Sequence, residues 1–239
     1  MVKKTLYSIA LSAMLMLSSC GNGGLLGNLL GLGTTTTNTN NTGSVLGSVL
    51  GSVLGGMAGS GGGLLGGMLL TDNTSTNLND MVVGNANINK ADLAGTWIYA
   101  QPGCAFSSQN MLSNAGGATA INQVKQKLNS AFQSMGFASN NTGFAFDQNG
   151  NFEAVLKGKA FNGTYTYDPS SGKLNLKTSG GTIPMFVTRD GKGMALTMDA
   201  KMLTSVLQAL GSTSGNNIIN SLATQYNGVR MGFDLAKYK

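Results

Sequence analysis

The 239-residue chain has no histidine, one glutamate (Glu153), one tryptophan (Trp97), two cysteines and three prolines, and 10% of its residues are charged. Each shortage excludes something. Without an imidazole, histidine-based nucleophile triads and the usual histidine-bearing zinc sites are ruled out. The aspartates are scattered mostly at turns and caps, and Asp168, Asp190 and Asp199 all read as ordinary local residues of that kind. No spacing supports a paired-carboxylate or Ser/Lys enzyme, and no cofactor or metal site is expected. The strings "GNGG" and "GSGGG" lack the strand-to-helix context and the following Lys-Ser/Thr of a phosphate loop. The net charge of +6 comes from lysines and arginines spread along the chain, without a cluster interleaved with aromatics, so nucleic acid is not an expected partner.

What is abundant is glycine, 36 residues of it, and it is unevenly placed. From Gly21 to Leu70 no residue is charged, whereas from Lys90 onward the composition is that of an ordinary globular domain. This divides the chain into a head (1–19), a tether (20–89) and a body (90–239). The head carries Lys3 and Lys4, an apolar run from Leu6 to Leu17, and then Ser18-Ser19-Cys20. That is a secretory signal layout, too short to span a bilayer as a stable helix. "LSSC" looks like a bacterial lipobox, so Cys20 is the expected lipidation site and the membrane an expected partner through the acylated cysteine. More than one acyl chain gives stable anchoring where a single chain does not. With Cys20 acylated, Cys104 has no partner for an intrachain disulfide and reads as a small buried hydrophobe.

The tether contains "GSVLGSVLGSVLGGMAGSGGGLLGGMLL", residues 43–70, with a glycine at every fourth position from Gly43 to Gly67. Eleven glycines in this stretch, each about 1 kcal/mol worse than alanine in a helix, exclude an isolated helix in water. The leading expectation is a disordered or membrane-adsorbed spacer; as random coil the whole stretch 21–89 would span about 45 Å. A glycine-zipper association helix and a self-assembling β segment are the alternatives, although a four-residue period drifts about 40° per step around a helix and limits any zipper to a few turns.

In the body, Ile121, Val124, Leu128, Phe132 and Met135 recur at helical spacing, with Gly136 as a stop. Strand-like alternation follows at Phe144/Phe146, Phe152/Ala154/Leu156, Tyr165/Tyr167, Leu174/Leu176 and Leu196/Met198, with glycine-bearing turns between. Asp199 caps a helix through Met202, Leu203, Val206 and Leu207; a second covers Ile218, Ile219 and Leu222; "VRMGFDL" then alternates as a last strand. With "GTWIYA" as a first strand stopped by Pro102, the prediction is a mainly β body of eight antiparallel strands, preceded by the disordered tether. It has three helices, one after the first strand and two before the last, and its first and last strands pair to close a barrel.

"LAGTWIY" looks like the glycine-x-tryptophan opening strand of lipocalins. The wider span Leu93–Leu235, with "GTWIYAQPGCAFSSQNMLSNAGGATA", "FDQNGNF", "GTYTYD" and "GVRMGFDL", resembles the lipocalin-like domain of unknown function that recurs in Bacteroidetes lipoproteins. That resemblance implies a calycin-type barrel in an envelope lipoprotein, without an established activity. Surface-displayed lipoproteins of such bacteria often carry acidic residues soon after the lipidated cysteine. Gly21-Asn22-Gly23-Gly24 lacks them, which favours the periplasmic face of the outer membrane. Trp97 is expected to plug one end of the barrel or, as the candidate ligand contact, to line its cavity. The functional expectation is a barrel that binds a small apolar ligand or an envelope protein; the alternative is an assembly lipoprotein that self-associates through the glycine repeat.

Overall fold

The computed structural model describes residues 50, 52, 54, 77–85, 88–190 and 193–238. The expected signal peptide, Cys20 and most of the tether lie outside them. Eight antiparallel strands run in chain order around a closed barrel: β1 (Gly95–Phe106), β2 (Gly143–Phe146), β3 (Asn151–Leu156), β4 (Lys159–Asp168), β5 (Lys173–Thr178), β6 (Gly181–Asp190), β7 (Gly193–Met198) and β8 (Val229–Lys237). Each strand pairs with the next. The ring is completed by β8 against β1, from Trp97↔Lys237 to Phe106↔Val229, with a register shift between Tyr99 and Gln101.

Alternation along these strands explains the closure. Phe144, Phe146, Phe152, Leu174, Leu176, Leu196, Met198, Met231 and Phe233 are all buried and belong to one continuous core. At eight strands, a barrel interior is just wide enough for side chains to fill it. The two-residue turn between β3 and β4 places Lys157 (φ 54) and Gly158 (φ 77) in the left-handed region, which matches the twist of a tight hairpin.

Among the described residues the helices are more numerous than the three expected. A single turn, α1 (Lys90–Leu93), precedes β1; α2 (Gln109–Ala115) and α3 (Ala118–Ser134) both stand between β1 and β2; α4 (Ala200–Ala209) and α5 (Asn216–Gln225) stand between β7 and β8. The unforeseen α2 is capped by Ser108, whose hydroxyl accepts from the Met111 N–H, and buries only Leu112, so it carries no apolar period. Asp199 caps α4 as expected, accepting from the Met202 N–H at 2.8 Å.

The first strand does not stop at Pro102. It continues to Phe106, because the pairing with β2 covers only Gly95–Ile98 and beyond that point β1 runs beside β8. A residue without an N–H is accommodated where a strand has a neighbour on one side. Pro184 is placed likewise: it pairs with Asn175 of β5, while the β6–β7 ladder begins at Phe186.

The body also begins earlier than residue 90. A 3-10 turn at Leu78–Met81 is followed by a bridge from Val82 to Phe106, and Met81, Val82 and Ile88 are part of the core. Further upstream, Leu50, Ser52 and Leu54 are helical. Leu50 and Leu54 are buried to 1% and 5% exposure in a small cluster of their own with Ile98 and Ala145, against which Val155 packs. Ile98, Ala145 and Val155 sit on the opposite strand faces from Trp97, Phe144 and Ala154, so this cluster lies on the outer wall of β1–β3. At these positions the tether is a helix on the barrel and not a free coil. Burying one leucine stabilises by about 1.5–3 kcal/mol, against about 1 kcal/mol for each glycine held in a helix; the repeat carries one of each per unit. The helix is therefore favourable only where its leucines are covered.

Gly232 of β8 faces the Leu196 carbonyl so closely that a Cβ would overlap that backbone oxygen. The substitution Gly232→Ala should lower stability by about 1–3 kcal/mol through forced separation of β7 and β8. Urea unfolding of the wild type and the variant checks this.

The barrel interior as candidate functional site

The interior is lined by aromatic and long aliphatic side chains. Phe233 of β8 lies within 5.6–6.2 Å, ring centre to ring centre, of Tyr99, Phe132, Phe137 and Phe144. From Phe144 the contacts continue through Phe146 (6.3 Å), Phe152 (6.5 Å) and Phe161 (6.1 Å), with Tyr165 edge-on to Phe146 at 5.2 Å. Offset and edge-to-face pairs of this kind add stability beyond the area they bury. These rings form a spine joining β1, β2, β3, β4 and β8 to α3.

Beside that spine lies a void of about 10 Å³. It is the size of one water molecule, but its walls are entirely apolar: Phe161, Ile183, Met185, Met198, Val206 and Phe233 are among them. A water there would find none of the polar partners it needs. Met185 and Met198 have unbranched, freely rotating side chains and can make more room than branched residues could. Val206 comes from α4, so the wall on that side is a helix rather than a strand.

Trp97 does not line this void. It is 5% exposed, its indole N–H donates to the Leu93 carbonyl at 2.8 Å, and the Lys237 ammonium lies 5.2 Å from its ring. It packs between α1 and the β1–β8 seam. Cys104 is fully buried, with its thiol 3.9 Å from the Ile121 carbonyl of α3. Among the described residues no group of three or more Cys, Asp or Glu side chains could hold a metal ion.

Polar contacts fasten the helices. Lys125 of α3 meets Asp234 of β8 at 2.7 Å with both side chains largely covered, and Gln101 donates to the same carboxylate at 3.3 Å. Burial, with the Asp234 carboxylate adding to it, pushes the Tyr99 hydroxyl well above its ordinary pKa. The Tyr226 hydroxyl donates to Gln123 at 2.5 Å and Lys127 donates to Gln225 at 3.0 Å, tying α3 to α5. Lys157 donates to Ser212 and faces the Phe137 ring at 6.0 Å, tying the β3–β4 turn to the segment after α4.

Residues 65–237 match the family described as "Lipocalin-like domain (DUF4923)". The chain belongs to that family. No curated protein and no solved structure matches it. The family's match starts 25 residues ahead of Lys90, in line with Met81 and Val82 being core residues of the domain. Its lipocalin-like description fits the closed eight-stranded barrel, and it is the inside of such a barrel that makes a ligand-binding role reasonable. The void-lining residues Phe161, Met185, Val206 and Phe233 were legible only as members of alternating or helical patterns. Which of them border unfilled space depends on how α4 seats against the barrel.

Glu153 of β3 is, like Asp234, an acidic residue covered in the folded barrel. It stands opposite Ala145 and is 9% exposed, and burial raises its carboxyl above the usual glutamate range. A carboxyl with a raised folded-state pKa favours folding while protonated, and that advantage is lost as the pH climbs from the ordinary value, about 4.3, through the raised one. E153Q should therefore match the wild type in melting temperature at low pH and exceed it at neutral pH. Thermal melts across that range read the difference, and parallel curves would contradict it.

Proposed function

We propose that this protein is an envelope lipoprotein, anchored through acylated Cys20 at the periplasmic face of the outer membrane, whose barrel takes up a slender apolar ligand such as a single hydrocarbon chain. The observation that carries the ligand reading is the wholly apolar void bordered by Met185, Met198 and the α4 residue Val206. Tyr238 is the large hydrophobic residue exposed among the described ones. The apolar patch on the outer wall of β1–β3 is covered by Leu50 and Leu54, so among the described residues the uncovered apolar space lies in the interior. At about 10 Å³ the void does not hold a ligand as it stands. Entry requires the methionines to swing aside and α4 to shift outward, with ligand contacts replacing the side-chain contacts given up.

Binding of a fluorescent fatty acid to the full chain in detergent-free buffer tests this. Saturable binding is expected at about micromolar affinity, the range in which one buried chain offsets the ordering it requires. Val206→Ile, which adds one methyl group to the wall beside α4, should weaken binding about tenfold, with thermal melting reading whether the fold is kept. No saturable binding, or binding untouched by V206I in a variant that melts like the wild type, contradicts the carrier reading.

The filled interior favours the second reading, a structural assembly lipoprotein in which the barrel docks on another envelope component. The anchor is common to both. Cys20→Ala should move the protein from the membrane fraction to the soluble periplasmic fraction on cell fractionation. Retention in the membrane would mean that another segment anchors the chain.

A further inference from the structure

The outer wall of β1–β3 carries an apolar seat of Ile98, Ala145 and Val155, and Leu50 and Leu54 of the glycine repeat occupy it. The wall is shaped for close approach: Gly143, beside Ala145, has the Leu50 side chain so near that a Cβ there would sit 3.1 Å from it. Leu50 and Leu54 are one helical turn apart and both buried, while Ser52 between them is exposed. The seat thus reads a leucine pair at a spacing of four.

The sequence supplies that pair more than once. The unit Ser-Val-Leu-Gly recurs at 44–47, 48–51 and 52–55, so Leu46 and Leu50 present the same spacing with the same neighbours as Leu50 and Leu54. A shift of four residues exchanges identical side chains, and nothing in the repeat distinguishes one seating from the other. We propose that the Ile98–Ala145–Val155 wall is a docking site for this chain's own Ser-Val-Leu-Gly repeat, and that the repeat seats on it in at least two registers four residues apart. The register sets how many residues are left free upstream of the barrel. This holds whatever enters the barrel interior.

Limited digestion of the full chain with elastase, with cleavage inside residues 43–70 followed by mass spectrometry, tests the docking and the registers together. Leu54→Asn alone should leave the repeat protected, because a slip of four residues brings Leu46 and Leu50 into the seat. Leu50→Asn breaks both pairs, and the double variant Leu50→Asn, Leu54→Asn removes both docked leucines; both should be cut at least about tenfold faster, since cleavage tracks the undocked population. Trp97 fluorescence during thermal melting shows that the barrel is folded in each variant. Equal cleavage rates in all four proteins would overturn the docking site. Rapid cleavage of the Leu54→Asn variant would overturn the register equivalence. Protection that grows with protein concentration would overturn the intramolecular occupant in favour of a second copy.

Discussion

Closure depends on β8 finding β1 across all the chain between Phe106 and Val229. No other strand pair is so far apart in sequence; the seven remaining pairings join consecutive strands. Loop-closure entropy grows only slowly with length, so the distance itself costs little. What the pairing requires is that both strands be aligned over their length before either is rewarded. Without it, β1 and β8 would each present an open apolar edge and the aromatic spine would lose the wall that carries Phe233. The Lys125–Asp234 pair and its Gln101 neighbour sit on this seam, where α3 crosses it. A covered ion pair contributes little net stability but penalises a partner left alone, so its placement here favours one alignment of α3, β1 and β8 over others.

The interior follows from that closure. Once the ring is shut, five phenylalanines and two tyrosines from its strands converge with two phenylalanines from and just after α3, and they fill nearly all the space. The residual void falls where the wall changes from strand to helix, and a helix presents side chains at a different spacing from a pleated sheet. Methionines border that place. A barrel packed in this way stores its capacity for a guest in side-chain mobility rather than in empty volume.

Much of the fold could be read from residue pattern. The alternation at Phe144/Phe146, Phe152/Ala154/Leu156, Leu174/Leu176 and Val229 to Leu235 marks the strands, and the apolar period from Ile121 to Phe132 marks α3. Short elements escaped. The seven residues of α2 bury one leucine and leave no period, and Pro102 reads as a strand end until the one-sided pairing of β1 is known. The candidate site was less legible, because Trp97 stands out in composition yet packs against Leu93 and Lys237, whereas Val206 looks like any other apolar helix residue. The repeat misled for a related reason. Glycine propensity describes a helix in water, and Leu50 and Leu54 are helical against a wall that sequence alone does not reveal.

Pro102 and Pro184 share a further property. Each occupies a stretch where its strand has a described partner on one side. Pro102 is buried there and Pro184 half-buried, so these stretches become templates for another chain only when the barrel opens. With 13 methionines, nine phenylalanines and little charge, the chain would be prone to associate while unfolded or partly open. At both places a proline then withholds one of the donors that an added strand would use.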